Sequence, residues 1–165
     1  DMLREVDLYK NDIQLLSNKF VSPLSSIGPD FYKYYLVDTI PESAIVSGKT
    51  RELYPIESDS LIVLEFIPKN SAAFGFAGRL YIPTNAKRNY VRKVKMLLPK
   101  NANVNFVESL GIDQEFYIDS LGCRHKILDN LTVEMSLVPG TQGIYAQKYT
   151  RCLNHNYIEH DPRGL

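Results

Sequence analysis

Asn130-Leu131-Thr132-Val133-Glu134-Met135-Ser136-Leu137 places Leu131, Val133, Met135 and Leu137 on one side of an extended chain and Asn130, Thr132, Glu134 and Ser136 on the other. Strand side chains alternate between faces, so the stretch reads as a strand with one buried face and one wet face. Pro139-Gly140 then turns the chain into a further strand, Ile144 to Arg151. The same period of two runs upstream. Ile112, Phe116 and Ile118 oppose Asp113, Glu115 and Tyr117, with Ser120 to Gly122 as the following turn. Val94, Met96 and Leu98 oppose Lys93, Lys95 and Leu97; Phe74, Phe76, Leu80 and Ile82 alternate with Gly75, Ala77, Arg79 and Tyr81. Gly78 falls on the apolar side of that run, the mark of a bulge, a bend or a close approach.

Ser60 to Ile67 is apolar on both faces, as expected near the middle of a covered sheet. Phe31 to Val37 is aromatic and β-branched enough to be a strand, closed by Asp38 and Pro41. Ile40 to Asp59, with Pro41, Gly48 and Pro55, reads as a long excursion with room for one short strand. Near the start, Met2, Val6, Tyr9, Ile13, Leu16 and Phe20 recur at steps of four and three, which fits a short amphipathic helix. Leu8 and Leu15 fall off that stripe, and Asn11-Asp12 and Ser17-Asn18 suit turns, so two short strands are the alternative. Strands joined by short turns pair with their neighbours, and a long meander curls. The expected fold is therefore mainly β, a curved antiparallel meander of about six to eight strands with at most one short N-terminal helix. Residues 1–153 make one β-rich domain, and 154–165 a polar tail or linker.

Composition agrees with a single folded domain. The chain has 165 residues, 44% of them hydrophobic and 23% charged, with 18 Tyr and Phe together and no Trp. Lys+Arg and Asp+Glu both number 19, so no net field draws the chain to phosphate backbones or anionic lipid. Apolar runs such as Leu61 to Leu64 fall far short of the ~18 residues of a membrane-spanning helix.

Candidate chemistry is sparse. His155, Glu159, His160 and Asp161 share a short tail, but a five-residue spacing matches neither one helix face nor one strand face, so no metal is expected there. His125 near Cys123 resembles a base beside a thiol, without the oriented third group a nucleophile needs. Gly75-Phe76-Ala77-Gly78 lacks the lysine and the helix of a phosphate loop. Lys87, Arg88, Arg92, Lys93 and Lys95 face Asp113, Glu115 and Asp119 two strands later, which reads as cross-strand pairing on a wet face. Asn130-Leu131-Thr132 is a glycosylation sequon that bears only on a eukaryotic secretory route. No enzyme constellation and no cofactor are expected. A turn centred between Gly140 and Thr141 sets Cys152 opposite Asp129, with Cys123 about 20 Å further along the strand, too far for a disulfide.

Two surfaces remain as binding candidates. Phe76, Leu80, Ile82, Val94, Met96, Phe116, Val133 and Met135 share one face by alternation. They line either an open apolar groove suited to an acyl chain or a core that the sheet fills for itself. Phe31, Tyr32 and Tyr35 would instead offer a stacking platform in a carbohydrate-binding or adhesion module, provided the rings are exposed and coplanar.

Several segments in order resemble a family: Asn18-Lys19-Phe20-Val21-Ser22-Pro23-Leu24-Ser25, Phe31-Tyr32-Lys33-Tyr34-Tyr35-Leu36 with Asp38-Thr39, Phe66-Ile67-Pro68-Lys69, and Phe74 to Ile82. Val91-Arg92-Lys93-Val94, Asn105-Phe106-Val107 and Gln114-Glu115-Phe116 continue the series. Together they look like the middle region of Bacteroidota outer-membrane proteins of unknown function, between a carboxypeptidase-regulatory-like domain and a surface-antigen-type β-barrel. Leu61 to Lys69 with Gly78 to Met96 also looks like the outer-membrane lipoprotein carrier (LolA-like) fold, an incompletely closed sheet around an apolar concavity. The resemblance implies a non-enzymatic binding or adaptor domain on the periplasmic side of the outer membrane. Its implied partners are a lipid or acyl chain, or neighbouring domains of the same protein. The sequence departs from that pattern by lacking the flanking domain and the barrel, and in the length of Ile40 to Asp59, as expected of an excised piece.

Overall fold

The structure, a computed structural model, describes residues 6–45, 60–84, 90–102, 104 and 107–135, and the backbone of 144–151. The first elements are two short strands, β1 (Asp12–Leu15) and β2 (Asn18–Val21), paired antiparallel with Ile13 opposite Phe20 and Leu15 opposite Asn18. The four-and-three spacing thus does not make a helix here; the turn alternative holds. Leu16 and Ser17 both take positive φ, 51° and 63°, as a two-residue type I′ hairpin turn requires. That hairpin brings Ile13, Leu15 and Phe20 into the main hydrophobic cluster, and tertiary burial decides the conformation. Among the described residues the one α-helix is a single turn, α1 (Gly28–Phe31), with a proline in its first turn; a 3₁₀ turn, Glu42–Ala44, lies further on.

Seven strands follow: β3 (Tyr32–Pro41), β4 (Ser60–Pro68), β5 (Ala77–Pro83), β6 (Lys93–Leu97), β7 (Val107–Ile118), β8 (Arg124–Met135) and β9 (Ile144–Arg151). Each pairs antiparallel with the next, so among the described residues sheet order equals chain order and β3 and β9 stand at the two ends. The fold is the expected mainly β meander, and it is not closed into a barrel. Register departs from expectation at the last hairpin. Asp129 stands opposite Thr150 and Leu128 opposite Arg151, two residues from the predicted pairing. A two-residue slip keeps every face unchanged, because the strand period is two. Cys123 is an exposed free thiol, and Cys152 lies outside the described residues.

Cross-strand rows carry the core. One row runs Leu64, Leu80, Val94, Gln114, Asp129, and the next runs Phe66, Gly78, Met96, Ile112, Leu131. Gly78 is the thin point of the second row: a Cβ there would sit 2.2 Å from the Lys95 carbonyl oxygen and 2.6 Å from Met96 Cα. Backbone cannot yield as a side-chain tip can, so Gly78→Ala must push β6 away from β5. A loss of about 1–3 kcal/mol is expected from such overpacking, read as a lower urea midpoint at unchanged slope. An unchanged midpoint would show that the two strands are free to separate.

Candidate functional site

The eight predicted groove residues come together. Phe76, Leu80, Val94, Met96, Phe116 and Val133 are buried in one cluster, with Ile82 and Met135 packed against it. Val6, Leu8, Ile13, Leu15 and Phe20 belong to the same cluster, so the space above this face is occupied by the chain's own N-terminal hairpin and its lead-in. Phe20 carries the aromatic contact of the hairpin with the sheet side, its ring 4.9 Å from that of Phe76 and 5.7 Å from that of Phe74.

Polar groups fasten this cover. The side-chain amide of Gln114 donates to the Val6 carbonyl at 2.9 Å and to Asp129 Oδ1 at 2.9 Å. Lys126 Nζ donates to the same Val6 oxygen at 2.9 Å and to Asp129 Oδ2 at 3.3 Å. A single backbone carbonyl thus receives an amide and an ammonium, backed by a buried carboxylate. Nearby, Arg124 lies over the Tyr9 ring, 3.4 Å from its centroid, a cation–π contact that pins the lead-in segment. The Tyr9 ring also meets Phe116 edge-on at 5.6 Å.

At the other end of the hairpin, Tyr32 Oη donates to the Val21 carbonyl at 2.6 Å and accepts from the Phe76 N–H at 3.0 Å. Burial pushes this hydroxyl well above the ordinary tyrosine range, so it keeps the proton that the bond to Val21 needs. Ser22 Oγ donates to the Leu8 carbonyl and the Val21 N–H to the Phe74 carbonyl, closing the same seam.

The aromatic platform does not assemble. Tyr32 is buried, its ring inclined at 63° to Phe31 and 86° to Phe66. Tyr35 is exposed and sits opposite Glu65, whereas Tyr34 sits opposite Phe66, so Tyr35 projects from the other face of the sheet.

The basic run also divides. Lys93 meets Glu115 at 3.5 Å and Asp113 at 3.8 Å, as cross-strand pairing predicts. Arg92 is not on a wet face: its side chain is 1% exposed, and its Nε donates to Glu42 Oε1 at 3.1 Å, with Glu42 also 1% exposed. Its Nη1 donates to the Phe116 carbonyl at 2.9 Å. Sequence reasoning missed this pair because the partners are 50 residues apart and Glu42 lies in a proline-bearing excursion. Gln114 was missed as well, although it left a signal: it lies between Ile112 and Phe116 on the buried face of β7, where an amide must find partners. Lys87 and Arg88 lie outside the described residues.

His125 engages Asp119 rather than Cys123, Nε2 to Oδ2 at 2.7 Å, and the Cys123 N–H donates to Asp119 Oδ1 at 2.8 Å. Hydrogen bonds from His125 first, then from Cys123, hold the Asp119 carboxyl below its ordinary 3.8. Folding thus favours the charged form, and this contribution is complete above the unfolded value and lost as pH falls through the lowered one. The melting-temperature difference between the native chain and Asp119→Asn should therefore be constant at neutral pH and shrink below pH 3.8. A difference that is flat across that window would show that the turn does not depend on this carboxylate's charge.

On the opposite face, Gly111 leaves a surface hollow of about 350 Å³ bordered by Lys95, Leu97, Ser109, Asp113, Asn130 and Thr132. Polar side chains share its lining with Met96, Leu97 and Ile112, and the larger part of the lining surface is apolar, but it lies on the other face of the sheet from the expected concavity. Among the described residues, no three of His, Cys, Asp and Glu gather as a metal site, and the His155 to Asp161 tail lies outside them. No described helix is long and apolar enough to cross a membrane. Compared with family models, curated proteins and solved structures, the chain matches none.

Proposed function

We propose that the chain is a non-enzymatic binding or adaptor domain on the periplasmic side of an outer-membrane protein, a LolA-like open sheet that holds polypeptide rather than an acyl chain. The observation that carries this reading is the filling of the apolar face by the chain's own segment, fastened at the Val6 carbonyl by Gln114 and Lys126. Magnitudes favour it. Burying Val6, Leu8, Ile13, Leu15 and Phe20 is worth on the order of 8–15 kcal/mol, as much as the whole net stability of an ordinary domain. An acyl chain of about sixteen carbons gains at most about 12 kcal/mol by burial, which falls inside that same range, so exchanging the hairpin for it brings no decisive gain, while the polar fastenings at Val6 would be lost as well. The periplasmic setting and the neighbouring barrel come from the family resemblance alone.

A photoreactive side chain installed in place of Leu36, in the full-length gene product within its own cell envelope, tests the reading. The expected result is an adduct with protein, in a chain whose domain is reached by protease only after the outer membrane is opened. Adducts with lipid alone, or a domain that fractionates with the cytoplasm, would overturn it.

A further inference from the structure

Among the described residues β3 ends the seven-stranded sheet, and the side chains of its middle are open to solvent on both faces. Tyr35 is 47% exposed, Leu36 68% and Val37 43%. Lys33, Asp38 and Thr39 are exposed with them. A long, apolar, exposed edge strand is a template for pairing with another strand. Sheets usually guard such an edge with charges or a bulge, and here both are arranged so that the edge complements itself.

We infer that two copies of this chain pair along β3, antiparallel about a two-fold axis at Tyr35, and join their meanders into one continuous sheet. The register follows from the bulge. Leu36 stands opposite Leu64 and Asp38 opposite Val63, so Val37 is the extra residue. Lys33, Tyr35 and Asp38 therefore share the face of Val63, Glu65 and Ile67, while Tyr34 and Leu36 share the face of Leu64 and Phe66. With Tyr35 opposite the partner's Tyr35, Tyr34 falls opposite the partner's Leu36. Skipping Val37 brings Lys33 opposite the partner's Asp38. Every pair then lies on matching faces: ring on ring, ring on leucine, and two opposite-charge pairs per dimer. Without the bulge, Lys33 would face the partner's Val37 and the two charges would stand unpaired. A foreign strand would need an acid and a base at the same two places, whereas a second copy carries both.

This inference rests on the adaptor reading only in using the same edge. An edge-to-edge joint is smaller than a standard interface, so the association is concentration-dependent. Sedimentation equilibrium of the purified chain over a concentration series should show monomer passing to dimer. Lys33→Glu and Asp38→Lys each set like charges together twice per dimer and should weaken dimerisation about tenfold or more. Mixing those two variants pairs Glu with Lys and Lys33 with Asp38, so the mixture should regain native affinity as a heterodimer; the double variant Lys33→Glu with Asp38→Lys should regain it alone. Photo-oxidation should join the two copies through dityrosine, and Tyr35→Phe should abolish the cross-link. A chain that stays monomeric throughout, a dimer indifferent to either charge reversal, or a mixture no tighter than its components would overturn the inference. A monomeric chain whose Leu36 position still cross-links to another protein in the envelope would assign the edge to a foreign strand and leave the adaptor reading standing.

Discussion

Replacing Glu42 by glutamine is expected to lower unfolding free energy by about 3–5 kcal/mol, because it leaves the Arg92 guanidinium buried without its counter-charge. Arg92 and Glu42 are each 1% exposed, so no water stands ready to replace the lost carboxylate. Nη1 keeps the Phe116 carbonyl, but Nη2 has no hydrogen-bond partner among the described residues, and a carbonyl dipole does not neutralise an ion. The pair joins the 3₁₀ turn after β3 to the start of β6 and the end of β7, so its loss is felt across the sheet. Arg92→Met in the Glu42→Gln background should recover much of that loss, since the uncompensated charge goes with it and an apolar stem fills a similar volume. Urea titration of both single variants and the double variant measures the coupling. A single-variant loss under about 1 kcal/mol, the size of an exposed ion pair, would mean that water reaches the site.

That pair marks the limit of what patterning reveals. From Phe31 to Arg151 the alternation reports strands, because each side chain's face depends only on parity, which is local. Which charge is buried depends on what a distant segment brings to it. Arg92 next to Lys93 looks like half of a solvated basic run, and nothing near it announces Glu42. The N-terminal hairpin was ambiguous for a different reason. Its turn residues, Leu16 and Ser17, take positive φ although neither is Gly or Asn, so the usual turn signal is missing at the place where it would decide between helix and strand. The one-face set from Phe76 to Met135 was legible from parity, whereas the occupant of that face was not: Ile13, Leu15 and Phe20 read as apolar under either a helix or a hairpin. The edge of the sheet was similarly hidden. Alternation through Phe31 to Val37 gives a strand, but only the sheet order makes β3 terminal, and only its register against β4 exposes the bulge at Val37.

Phe20→Ala is expected to cost about 3–5 kcal/mol, comparable to losing the ion pair and by an unrelated route. Phe20 is fully buried against Phe76 and Phe74, on the hairpin side of the cluster, so truncation removes aromatic contact and leaves a void that the sheet can only partly close. If the hairpin were a loosely held cover, the segment would lift and hydrate, and the cost would be much smaller. The void would be apolar, and apolar cavities of this kind stay dry and admit small apolar molecules. The native chain should therefore show no saturable binding of a fluorescent fatty-acid probe, while Phe20→Ala should gain binding of benzene-sized ligands. Phe20→Leu, which keeps most of the volume, should lose less stability and gain no binding, and it stands in if the alanine variant fails to fold. Saturable uptake of the fatty-acid probe by the native chain, abolished by Leu80→Trp, would instead mean that the hairpin yields to an acyl chain. The apolar face would then be a ligand site and not a core, because an acyl chain worth at most about 12 kcal/mol opens it only if the hairpin's net hold on the sheet is smaller than that.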